Sequence, residues 1–420
     1  MHATTSSRLV RGLALTGLLI IAGVPTGLLY RFGVTSQPSY VWLAGVVVIA
    51  AVALRFPILT GARSLHAIPM AFFGIIFVSI SMSGSPMTVL RQHLSLGVAL
   101  LLGLVLASMG LKRAAQLWVL TSVAVASSAV LMLVTPWRDY GVDRIEFRST
   151  LPWTDVAGFG SAAGLAAGAS HVAMLSATGL ILLLSMPFSA PWRLAGAPPL
   201  VAGVVVTGNA TSWIALAVAF ASIGAVSMVA PQAKAWTLIP IFSLGAFLIT
   251  IAMTGTSVLF GVLERASSLT GRLPVWSGIL SEISNGPLLG LGHAGFWHET
   301  SVERILWLIN AGWSPGNAHN TYLEVVLLAG PLALALYLLL LLVPVARAGL
   351  YSPWERRAVV GLITYAFIQG LTGSAFVLPT LGAVLVAWVF FSAATLPAYS
   401  RDNGQGRRCR SSHEIEGLQI

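Results

Sequence analysis

Apolar stretches of about twenty residues, the length of helix that spans roughly 30 Å of hydrocarbon, recur along the entire chain and limit its fold more than any other feature. A backbone surrounded by lipid must satisfy its own polar groups, within helices or a closed barrel. Twelve crossings are expected, centred on residues 12–30, 40–54, 65–83, 93–111, 114–135, 164–186, 195–208, 212–230, 236–260, 321–346, 357–376 and 379–398. Composition agrees. Of 420 residues, 56% are hydrophobic and 9% charged, whereas an ordinary globular domain carries roughly 25% charged residues. The chain reads as an all-α polytopic membrane protein with one transmembrane domain over 1–398 and a polar, disordered tail at 399–420. Arg8 and Arg11 precede the first stretch as in a signal peptide. No small-residue cleavage site closes it, so it reads as a retained helix.

Lys and Arg set the orientation. With the N-terminus inside, 15 of the 23 basic residues fall on the inner side and 8 on the outer side. Both termini are then cytoplasmic. Nine of the thirteen acids, from Asp139 to Glu324, fall outside. The net charge of +10 is thus a topological bias, and nucleic acid is not needed to explain it. The single cysteine, Cys409, lies in the tail, which excludes a disulfide framework and a Cys-based metal site. Inner loops are short, but the outer segments 136–156 and 261–320 are long, the second lying between the ninth and tenth helices. Polar chemistry is therefore expected on the outer face.

The 261–320 loop carries helical patterning of its own. Pro274 suits a helix start, and Trp276, Ile279, Leu280 and Ile283 form one apolar stripe. Ser301 opens a second such pattern with Val302, Ile305, Leu306 and Ile309. Two amphipathic helices there would lie on the membrane interface or roof a cavity.

Arg272 precedes the first of them, where unpaired N–H groups and the helix dipole favour an anion. Its guanidinium fork fits two phosphate oxygens. An ion pair with Glu264 or Glu282 is equally compatible with the spacing. His319 stands just before the tenth span, placed to take a proton near neutral pH; a histidine bonded within the loop is the plainer reading. Thr321 to Glu324 fits a capping box, and Asn317 and Asn320 suit turns or caps.

Other patterns carry less. Gly290-Leu291-Gly292-His293-Ala294-Gly295 matches a dinucleotide fingerprint but has no βαβ context, so its glycines are expected to permit a tight loop. His298-Glu299 lacks the second histidine of a zinc-protease motif, and no P-loop is present. Gly160, Gly164 and Gly168 suit close helix packing. Asn209-Ala210-Thr211 is a sequon in a very short outer turn.

Three blocks in order, TGRLPVW at 270–276, PLLGLGHAGFW at 287–297 and AHNTYLEVVLLAG at 318–330, resemble the O-antigen ligase and Wzy-type polysaccharide polymerase superfamily. They are most similar to its exopolysaccharide-polymerase (ExoQ-like) branch. The resemblance implies a bacterial inner-membrane glycosyltransferase with a large helical periplasmic loop. Its donor would be a glycan on undecaprenyl diphosphate, its acceptor a sugar hydroxyl, and its partners the bilayer, a flippase and a chain-length regulator. No cofactor or metal is implied.

By the same resemblance His319 matches the family's loop histidine, with Glu324 as orienting partner or as the base itself. Arg272 matches the loop arginine, and a second arginine from an earlier outer loop is assigned to Arg148, with Arg144 and Arg91 as rivals. Asn320, Tyr322 and Trp276 would position the loop and substrate. Two positions depart from the family pattern. Ala333 stands where ligases often have a second glycine, and Thr211-Ser212-Trp213 lacks the arginine of the family's Ser-Arg pair.

The chemistry suits these residue types. A diphosphate leaves readily if positive charge meets the growing negative charge, and each charge-assisted hydrogen bond contributes roughly 1.5–3 kcal/mol. A general base adds about 10²–10⁴-fold. One direct displacement would invert the anomeric centre. Transfer to lipid A core, as in a ligase, remains the nearest alternative to polymerisation. A lipid-linked glycan flippase or secondary transporter is the alternative of a different class. Transporters place charged or broken helices at mid-membrane, whereas His171 is the one ionisable residue expected deep here. A metal-dependent glycosyltransferase would want acidic pairs in the first outer loop, and 31–39 has none.

Overall fold

The computed structural model describes residues 2–21, 63–81, 86–133, 169–228, 272–292, 296–297, 317–373 and 381–396. Among the described residues the regular structure is helical throughout. Helices α1 (His2–Ile21), α2 (Arg63–Ser81), α3 (Pro86–Ser108) and α4 (Leu111–Leu133) precede α5 (Ala169–Ser185), α6 (Ala190–Val206) and α7 (Ala210–Met228). Then follow α8 (Arg272–Asn285), α9 (Thr321–Ala346), a 3-10 turn (Ala348–Leu350), α10 (Pro353–Gly370) and α11 (Leu381–Ala394).

These helices fall on ten of the twelve expected stretches; 40–54 and 236–260 lie outside the described residues, as do 298–316 and the tail. Three segments, Leu111–Leu131, Thr211–Met228 and Thr321–Leu350, are long and apolar enough to cross a membrane, and six further apolar helices are shorter. Leu131, Leu194, Val201 and Met228 are exposed, as side chains facing lipid would be.

Small residues let the helices approach closely, as in membrane interiors generally. Gly103 abuts Ala387 and Trp388, Gly179 abuts Ser122, and Gly361 abuts Ile223 and Ile181. The three glycines expected to pack this way, Gly160, Gly164 and Gly168, lie outside the described residues. In the core Trp118 stacks on Trp388 with centroids 5.6 Å apart, and its indole donates to Thr178 Oγ1 at 2.9 Å. His171, expected deep, is half-buried in the first turn of α5.

The feature that positions the site is a break in α9. Gly330 adopts φ 80, ψ 176, a region open essentially to glycine alone. Pro331 follows it and has no N–H to give to the Leu327 carbonyl. The carbonyls of Leu327 and Leu328 are instead bonded by the backbone N–H groups of Leu291 and Gly292, at 2.8 and 3.0 Å. Ser79 of α2 also donates to the Leu328 carbonyl. Thus the 286–292 loop is fastened into the bundle by the polar groups that the helix break releases. Gly290, at φ 74, makes the close approach possible: a Cβ there would stand 2.5 Å from the Ala329 nitrogen. The glycines of this run serve a tight loop, as the sequence indicated.

Gly330→Ala should strip the loop from α9, because the new methyl meets the Leu288 carbonyl and the backbone conformation itself costs about 1–3 kcal/mol. Melting in detergent should fall by several degrees and folded yield should drop, whereas Gly349→Ala, with open space around it, should leave both unchanged.

Candidate functional site

The site is built around the start of α9, where a polar segment meets a long apolar helix. Asn320 is the N-cap, its Oδ1 accepting from the Tyr322 and Leu323 N–H groups at 2.9 and 3.0 Å. This satisfies helix N–H groups that would otherwise be orphaned. The cap differs from the Thr321–Glu324 capping box. Thr321 spends its hydroxyl on the Gly373 carbonyl at 2.6 Å, and Glu324 reaches away from the helix start. Asn320 Nδ2 donates to the Leu371 carbonyl at 3.1 Å, and Tyr322 donates to the Phe367 carbonyl at 2.8 Å. Three consecutive side chains therefore clamp the start of α9 onto the end of α10.

Residues 317–319 are held from the other side. Asn317 Oδ1 accepts the His319 N–H at 2.9 Å, an Asx turn. Ala318 is buried, and both of its backbone groups are taken by side chains. Its N–H donates to Glu324 Oε2 at 2.6 Å, and its carbonyl accepts from the Trp276 indole at 2.9 Å. Glu324 is fully buried, and its other oxygen accepts from the Trp297 indole at 2.9 Å. His319 itself is half-buried and has φ 48, the one positive φ at a non-glycine among the described residues. An L-residue with a β-carbon occupies that region rarely and only when its surroundings impose it. Here the tethers on Ala318 and Asn317 impose it.

Helix α8 brings the arginine end of the site into the same frame. It begins at Arg272, so Pro274 sits inside the first turn, where a missing N–H costs nothing. Arg272 is the first residue and Trp276 lies about one turn on, so the helix that holds Ala318 also carries Arg272 at its N-terminus. The buried face of α8 differs from the expected stripe. Val275 and Ile279 are buried, Trp276 and Ile283 are half-buried, and Leu280 is 54% exposed. Contact with α9 and the reach of Trp276 to Ala318 rotate the helix so that Val275 replaces Leu280 on the inner face. Between α8, the 286–292 loop and α9 lies a cavity of about 230 Å³ that includes Glu282, Ile283, Leu288 and Pro331.

Among the remaining expected residues, Arg91 lies inside α3 rather than in a loop, because that helix starts at Pro86. Arg148 and Arg144 lie outside the described residues, as does the 301–309 helix. No three His, Cys, Asp or Glu among the described residues group in a way that could hold a metal ion.

The sequence reading gave no role to Trp297 or to the α7–α10 network. In that network Ser212, buried, accepts from the Tyr365 hydroxyl at 3.2 Å and meets Gln369 Oε1 at 3.5 Å, while Thr372 bonds Thr211 at 2.8 Å. Trp213, where the family's arginine was missed, is 38% exposed. The short turn at 207–209 is formed as expected, with Asn209 Oδ1 capping the Ser212 N–H at 3.0 Å.

Residues 195–338 match the family model described as O-antigen ligase. The match runs from α6 into α9 and contains every element that builds the site except the end of α10. This match, over about a third of the chain, supports a relation to the O-antigen ligase and Wzy-type polymerase superfamily. The similarity supports a polysaccharide polymerase or ligase function in a membrane, with lipid-linked oligosaccharide and an acceptor glycan as the substrates that family suggests. No curated protein matches the chain.

The clamp at Asn320 yields a direct expectation. Asn320→Ala removes the cap and the tie to Leu371, so stability should fall by about 1 kcal/mol, read as a lower detergent melting temperature. Asn320→Asp keeps the acceptor oxygen and should recover the capping part of that loss.

Proposed function

We propose that this chain polymerises an exopolysaccharide or O-antigen at the periplasmic face of a bacterial inner membrane. It would transfer a growing glycan from undecaprenyl diphosphate to a hydroxyl of the next lipid-linked repeat. The observation that carries this reading is His319, held in a left-handed backbone conformation at the head of a long apolar helix. Strain of this kind persists where a side chain must be presented in one direction. His319 takes the proton from the acceptor hydroxyl, and the oxygen attacks the anomeric carbon. The bond to the diphosphate oxygen breaks, the lipid diphosphate leaves with the electron pair, and the product has inverted configuration.

Arg272 supplies fixed positive charge to the departing diphosphate, helped by the N-terminal N–H groups of α8, with Arg148 as its partner and Arg91 as the rival. Asn320, Tyr322 and Trp276 keep base and cation in register, since a misplacement of about 1 Å can cost on the order of 10²-fold. Both termini are cytoplasmic on this reading, and the carrier's hydrocarbon stays in the bilayer. The polymerase is preferred to the ligase because all three loop blocks resemble the exopolysaccharide branch and Ala333 replaces the ligase glycine.

The test is a strain in which the chain is deleted and then replaced by variants. Deletion should leave single repeats on the lipid carrier; long chains left on the carrier would make the protein a ligase. Arg272→Lys should restore little polymer, because an ammonium cannot form the two-pronged phosphate contact. Full restoration by lysine would contradict that contact.

A further inference from the structure

The buried Glu324 invites assignment as a second base, yet its surroundings point elsewhere. Both oxygens accept from donors that cannot leave: the Trp297 indole and the Ala318 backbone N–H. The side chain is fully enclosed, so an acceptor hydroxyl could reach it only by displacing one of those donors. What Glu324 holds is the backbone N–H of Ala318, the residue immediately before His319. Trp297 is 7% exposed and lies edge-on to Phe296, with centroids 4.7 Å apart. Its ring is thus packed in place, and its N–H fixes where the carboxyl sits.

We propose that Trp297 is a positioning residue for the transfer reaction: through Glu324 and the Ala318 N–H it maintains the left-handed backbone that presents the His319 imidazole. The inference rests on His319 being the base. It assigns a role to a residue to which the sequence reading gave none. Trp276 performs the complementary task on the Ala318 carbonyl, so two indoles from separate segments, one directly and one through Glu324, hold the two peptide units that flank the Ala318 Cα. With either hydrogen bond gone, His319 can relax from φ 48 toward the ordinary negative region, and the imidazole swings away while the donor site is unchanged.

A double-mutant cycle on the full-length protein in proteoliposomes tests this, with lipid-linked glycan extracted from the deletion strain as donor and acceptor. Trp297→Phe keeps the ring and removes the N–H. It should lower kcat on the order of tenfold and leave KM within about twofold. His319→Gly accepts the left-handed conformation without strain and removes the imidazole; free imidazole should restore part of its rate. In that background Trp297→Phe should change the residual rate by less than about twofold, since it no longer has a base to position.

Trp276→Phe and Glu324→Gln should behave in the same way, which keeps the test open if one variant fails to accumulate. An equal tenfold loss from Trp297→Phe in both backgrounds would overturn the proposal, as would a rise in KM at constant kcat. A fully active His319→Gly would overturn the base assignment instead, so the two failures are distinct.

Discussion

The backbone of Ala318 is the constraint on which the rest of the site depends. A backbone N–H and carbonyl buried at a membrane boundary must find partners, and here neither partner is backbone. Glu324 and Trp276 supply them, from α9 and α8 respectively. Because the two partners approach from different elements, they fix the orientation of the Ala318 backbone as well as its position. His319, the next residue, is held at φ 48.

The same economy of polar groups explains how the outer loop is anchored. A membrane helix that breaks leaves carbonyls that lipid cannot satisfy. Gly330 and Pro331 create such a break in α9, and the 286–292 loop fills it with two N–H groups. The loop thereby gains a fixed seat next to α8, and α8 gains a fixed relation to His319. The break, the loop glycines and the tethered histidine are parts of one arrangement. At the end of α10 the Thr321 and Asn320 contacts close it from the opposite side.

Much of this was legible in the sequence, and the limits are physical. Helical apolar stretches announce themselves by length, and a histidine just ahead of a long one stands out because ionisable residues are so scarce. Asn320 as a cap was legible as an option, since its Oδ1 bonds only its own near neighbours. The choice between it and the Thr321 box was not, because Thr321 has a partner 52 residues away. The inner face of α8 was misplaced by one residue for a similar reason: periodicity shows that a stripe exists, while docking against α9 decides which edge is buried. Trp297 was invisible as a functional residue because its partner lies 27 positions on, beyond any helical repeat.

The central claim is that His319 removes the acceptor proton while the cationic end of the loop holds the diphosphate. The measurement that bears on it most directly is the rate constant of glycan transfer by His319→Ala in proteoliposomes, taken together with its affinity for the lipid-linked donor. The account predicts a rate lower by about 10²–10⁴-fold with donor affinity retained. Transfer at the unmodified rate would contradict it.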